Sequence, residues 1–99
     1  MPRYDIFPNP ARQGFLLDVQ SALLNGLNTR VVVPLLALNS APSPGRRLNP
    51  QLIVDGTPHV MVTQFQAAVP VSVLKTPIDN VAARFSEITA AIGMLTQGL

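Results

Sequence analysis

The chain has no cysteine, no tryptophan, one lysine and one histidine. Without cysteine there can be no disulfide and no thiolate metal site, a composition that suits a reducing compartment. Charge is scarce. Charged residues make up 12% of the 99 positions, against roughly 25% in an average globular protein. Uncharged side chains must therefore cover much of the surface, which favours a chain that hides area in a partner or in a second copy of itself. The net charge of +2 rests on few groups. Lys75 stands alone, the arginines are scattered, and Arg46–Arg47 is the one basic doublet. That doublet reads as a solvated loop rather than a phosphate site, because nucleic-acid binders gather their cations on one face.

Long apolar runs are also missing. The uncharged stretch from Gly56 to Leu74 is broken by Pro58, His59, Gln64, Gln66 and Pro70, so it does not read as a membrane span. Met1-Pro2-Arg3-Tyr4-Asp5 carries no apolar segment of the kind a signal peptide needs. The length suits one domain over residues 1–99, and a soluble, cytoplasmic protein is expected.

Most of the chain has the period and composition of short strands. Tyr4 to Phe7 is the first, stopped by Pro8-Asn9-Pro10, and Phe15 to Val19 is the second. Asn25-Gly26 marks a turn, and Val31-Val32-Val33 is a β-branched run with Pro34 at an edge, bulge or strand end. Asn39 to Gly45 reads as a surface loop. Leu52 to Val54 and Val60 to Thr63 flank Asp55-Gly56, a favoured hairpin pair, with Pro58 lengthening the connection. Val69 to Leu74 reads as a further strand, again interrupted by a proline. The period then changes. Val81, Phe85, Ile88, Ile92 and Leu95 form one helical stripe, with Thr76-Pro77 as the start and Gly98 as the stop. Many strands followed by one helix predict a small α+β domain, or a barrel with a packed helix.

No catalytic pattern emerges. His59 has no cysteine or close glutamate for a metal, and a lone histidine beside a strand is more often structural. Asp5, Asp18, Asp55, Asp79 and Glu87 form no close sequence pair. The glycines are too far apart for a phosphate loop, and Ser21, Ser72 and Ser86 lack a nucleophile elbow. No cofactor, no metal and no enzymatic activity are expected. The C-terminal Gln97-Gly98-Leu99 hangs from the helix, either as a frayed end or as a tail that reaches a partner.

Several segments together resemble one family. Phe15-Leu16-Leu17-Asp18-Val19-Gln20-Ser21 resembles the L-x-DVQS strand end of the CcdB toxins of toxin–antitoxin modules. Arg30-Val31-Val32-Val33-Pro34-Leu35 is similar to their R-x-V-x-P-L strand, and Leu48-Asn49-Pro50 to their L-x-P. Ala68 to Leu74 is similar to their S-VPVSV-I strand. The likeness covers nearly the whole chain and is poorest in the proline-rich loop.

The resemblance implies an SH3-like barrel of antiparallel strands with a C-terminal helix. It implies a cytoplasmic homodimer with the two helices near the dyad. It also implies binding to the DNA gyrase A-chain, the cleaving component of that enzyme, which traps the gyrase–DNA cleavage complex. A cognate CcdA-like antitoxin with a disordered segment that folds on binding would neutralise the toxin, and the pair would repress its own operon, contacting operator DNA through the antitoxin. The gyrase-binding residues so implied are Leu23, Leu24, Gln97, Gly98 and Leu99. Leu23 and Leu24 match the family's paired isoleucines, and Gly98-Leu99 its Gly-Ile terminus. Gln97 departs from the pattern, because the family has tryptophan there. Three readings follow: weak or altered gyrase binding, another target, or an inactive homologue that keeps its antitoxin. The same barrel also serves the MazF/Kid-type ribonuclease toxins, for which Arg46, Arg47, Asp55 and His59 would be the candidate acid–base set.

Overall fold

The structure is a computed structural model describing residues 2–41, 45 and 47–98. Among these residues, seven strands form one antiparallel, nearly closed barrel. They are β1 (Asp5–Pro8), β2 (Phe15–Asp18), β3 (Thr29–Ala37), β4 (Gln51–Val54), β5 (Thr57–Met61), β6 (Ala67–Pro70) and β7 (Asp79–Asn80). One α-helix follows, α1 (Phe85–Gln97). The strand order is β4-β5-β3-β2-β1-β7, with β6 on β3. The expected α+β architecture is thus present.

The organising strand is β3. One of its edges pairs with β2, Val32–Leu35 against Asp18–Phe15. The other edge is shared: Thr29–Val32 pairs with β6, and Leu35–Ala37 pairs with β5. Pro34 falls at the seam between those two partners. Alternation of the backbone groups points its nitrogen into the seam, where no ladder bond is lost, and its carbonyl accepts from the Val62 N–H at 2.9 Å. The proline therefore lies inside a strand, at the place where that strand changes neighbours.

Both faces of the central strands are covered, which is why they read as continuous apolar runs. Ile6, Leu17, Val33 and Leu35 face α1, packing with Leu52, Val54, Met61, Ile88 and Ala91. Phe7, Leu16 and Val32 face the other way, against Leu74 and the partly buried Val69 and Val73. The edge strand β4 alternates, burying Leu52 and Val54 and exposing Gln51 and Ile53.

Three local expectations are corrected. The connection at Asp55-Gly56 is not lengthened by Pro58: Val54 pairs directly with Thr57, and Pro58 pairs with Ile53. Asp55 and Gly56 both take positive φ, 53° and 78°, as a tight hairpin turn requires. The strand expected to run to Leu74 stops at Pro70 and becomes a 3-10 turn at Val71–Val73. The helix begins at Phe85, not at Thr76-Pro77. The chain before it is captured by β1, with Ile78 N–H donating to the Ile6 carbonyl at 2.8 Å and Val81 N–H to that of Tyr4 at 3.0 Å. Asn80 Oδ1 then accepts from Ala82 N–H at 2.9 Å, a local side-chain turn that leads into the 3-10 segment Ala82–Arg84.

The helical stripe is narrower than its spacing implies. Ile88 and Ala91 are buried, whereas Phe85 and Leu95 remain exposed. Gly98 ends the helix as expected, in the left-handed region with φ 73° and its N–H donating to the Met94 carbonyl. Ile88 is fully enclosed between the helix and the sheet. Ile88→Ala should therefore destabilise the fold by about 2–5 kcal/mol, the range for deleting a buried aliphatic side chain. Urea unfolding, with a lowered midpoint and an unchanged slope, checks this.

Candidate functional site

β2 ends on Asp18, and the chain then turns through Val19-Gln20-Ser21 into a 3-10 turn, Ala22–Leu24. No side chain of that turn is buried. Leu23 is 95% exposed and Leu24 48%. Such a tip lacks the apolar packing that normally fixes a loop, so polar contacts must hold it.

They begin in the core. Asp18 and Arg30 are 0% and 1% exposed, and two nitrogens of Arg30, Nε and Nη2, donate to one oxygen of Asp18 at 2.9 and 2.6 Å. The second carboxylate oxygen accepts the Gln20 N–H at 3.0 Å. The third nitrogen, Nη1 of Arg30, donates to Oδ1 of Asn25 at 2.7 Å. Gln20 is also buried. Its amide nitrogen donates to the Leu24 carbonyl at 2.9 Å, and its amide oxygen accepts from Val31 N–H at 3.1 Å. Ser21 Oγ caps the turn by accepting from Leu23 N–H. The Leu23 N–H, the Leu24 carbonyl and the Asn25 side chain are thus each held by a different polar side chain. Charge-assisted bonds out of water are the strong members of such a network.

In the sequence Asp18 has no close acidic neighbour, and no local pattern joins it to Arg30 twelve positions on. The available signal was the placement of one charge at the end of each of two otherwise apolar runs flanking a turn.

The other half of the predicted site is Gln97 and Gly98, both exposed at the end of α1; Leu99 lies outside the described residues. Among the described residues no hydrogen bond joins this end to the Leu23–Leu24 turn. The two are tied to one core cluster separately, the turn through Val19 and the helix through Ile88, Ala91 and Ile92.

Of the candidate acid–base residues, the three that are described, Arg47, Asp55 and His59, are not brought together. His59 is buried, its Nδ1 lies 2.9 Å from the Thr57 carbonyl, and its ring stands edge-on to Phe15 with centroids 5.1 Å apart. It lines a cavity of about 390 Å³ with Arg12, Gly14 and Ser40, whereas Arg47 lines another with Pro50 and Glu87. Asp55 is exposed on its hairpin, and Arg46 lies outside the described residues. Among the described residues no cluster of three or more His, Cys, Asp and Glu could hold a metal. No helix among them is long and apolar enough to cross a membrane.

Residues 3–98 of the chain match the family described as CcdB protein. No curated protein matches the chain.

The two ion pairs among the described residues should differ sharply in weight. Arg30→Ala leaves a carboxylate buried without its cation, and should cost about 3–5 kcal/mol. Arg84 and Glu87 sit in water, although their hydrogen bond raises the arginine pKa and holds the glutamate carboxyl below its ordinary value. Arg84→Ala should leave the thermal midpoint almost unmoved, since exposed pairs contribute little. Calorimetry on both variants checks the contrast.

Proposed function

The chain belongs to the CcdB family, and from that membership we propose that it is the toxin of a type II toxin–antitoxin module, acting by binding the DNA gyrase A-chain and trapping the gyrase–DNA cleavage complex. In this reading it is a cytoplasmic homodimer and not an enzyme. A cognate antitoxin neutralises it through a segment that folds on its surface, and the complex represses the operon with the antitoxin making the DNA contacts.

The observation that carries the reading is the Leu23–Leu24 turn. The two leucines stand where the family has its paired isoleucines, and the residues that fix their turn, Asp18, Gln20, Ser21 and Arg30, belong to the motifs that make the family recognisable. A leucine held almost fully in water on a braced turn offers apolar area to a partner with little to reorganise. Exposed Phe85 and Leu95 on α1, with the low overall charge, support a second copy packing against the helix.

Gln97 sets the expected strength. A buried aromatic at an interface commonly costs about 2 kcal/mol or more when truncated, and glutamine supplies neither its area nor its stacking on a cation. Gyrase binding should be weaker than a tryptophan at that position would give.

Incubation of the protein with gyrase, ATP and supercoiled plasmid should accumulate linear DNA after denaturation of the enzyme. Leu23→Asp should abolish the signal, and Gln97→Trp should raise it. If micromolar protein yields neither a cleavage complex nor inhibition of supercoiling, gyrase is not the target.

A further inference from the structure

We infer that Asn25 is a positioning residue for target binding: it links the buried Asp18–Arg30 pair to the exposed leucine turn and so fixes the direction in which Leu23 and Leu24 are presented. The inference rests on the reading of that turn as the gyrase contact.

The geometry separates Asn25 from the other braces. Ser21 and Gln20 act on the backbone of the turn, at the Leu23 N–H and the Leu24 carbonyl. Among the described residues Asn25 alone takes a side-chain bond from the core charge pair, receiving Arg30 Nη1 at 2.7 Å. Two nitrogens of that arginine are committed to Asp18, which is itself enclosed, so the guanidinium cannot follow a moving loop. Its third nitrogen is therefore a fixed point. Asn25 is the C-terminal cap of the turn, its own N–H donating to the Ala22 carbonyl. A hold at this position limits rotation of the whole turn. Because the turn buries no side chain, no packing would replace the hold if it were lost.

Asn25 is itself exposed, so water can reach Arg30 Nη1 once the amide is gone. Its removal should spare folding and act on presentation. Ordering a mobile tip at the moment of docking weakens binding. The acceptor oxygen is what the bond uses, so aspartate should replace asparagine and alanine should not.

The test compares full-length Asn25→Ala, Asn25→Asp and Leu23→Ala for affinity to the purified gyrase A-chain by calorimetry, alongside thermal unfolding of each. Asn25→Ala should bind about five- to tenfold more weakly, the scale of one ordinary net hydrogen bond, since water takes over part of the charged donor's bond. Its unfolding temperature should stay at the parent value, and Asn25→Asp should restore the affinity. Parental affinity in Asn25→Ala with weakened Leu23→Ala overturns the positioning role while leaving the leucine contact standing. Parental affinity in both removes the contact reading, and this inference with it. A loss of affinity in Asn25→Ala matched by a fall in unfolding temperature, or no rescue by aspartate, also overturns the inference, since the residue would then be only structural.

Discussion

A carboxylate and a guanidinium taken wholly out of water must satisfy one another and nearly all their remaining hydrogen-bonding capacity, or the fold cannot hold them. Asp18 and Arg30 meet that constraint across neighbouring strands, and the ends of those strands follow from it. Asp18 closes β2, and Arg30 lies at the start of β3, so the pair straddles the connection between them. The Asp18 backbone is used as well: its carbonyl accepts from Tyr4 N–H at 2.7 Å, tying the entrance of β1 to the same point. The pair is weak evidence for stability as such. A well-packed apolar pair of the same volume is often as stable. What apolar side chains could not supply is direction, because they have no third donor to extend toward Asn25 and no second oxygen to hold Gln20.

That directional network explains what was legible in the sequence and what was not. The Asp55-Gly56 hairpin could be read because its chemistry is local: two adjacent residues that tolerate positive φ between apolar runs. The helix could be read from its period, and Gly98 as its stop. Its start could not. Thr76-Pro77 is a sound local signal, but the unpaired edge of β1 competes for the same backbone, and a tertiary ladder outweighs a cap of about 1 kcal/mol. Val71–Val73 was lost for a related reason. Its β-branched composition favours a strand, yet the chain has passed the end of β3 by Asn28, whose carbonyl takes the Val71 N–H. For Pro34 the sequence leaves an edge, a bulge and a strand end open, because it does not show where a strand exchanges neighbours.

The site divides the same way. Leu23 and Leu24 were placed by resemblance to a motif, and the structure supplies the reason the motif has those residues. Asp, Gln and Ser of the strand end each make a separate bond that holds the turn, and the arginine that opens the next strand completes the set. Asn25 carried no such signal. As half of an Asn-Gly pair it reads as turn chemistry, and its bond to Arg30 depends on a residue five positions away across the turn.

Rigidity at the tip bears directly on how a member of this family without the aromatic anchor could still bind a target. Fully burying a leucine contributes about 1.5–3 kcal/mol, and Leu23 begins with almost its whole area in water. Leu24 has only about half of its area left to bury, so the two together offer a gross gain no larger than the lower estimates of the rigid-body cost of association, about 4 kcal/mol. At that margin, the side-chain and loop ordering that a free tip would add decides whether binding is observed at all. A braced turn removes that cost in advance. Under the proposed gyrase contact, glutamine at position 97 makes the hydrogen-bonded bracing behind Leu23 and Leu24 more important to affinity than it would be beside a large aromatic, because less surplus remains to absorb disorder.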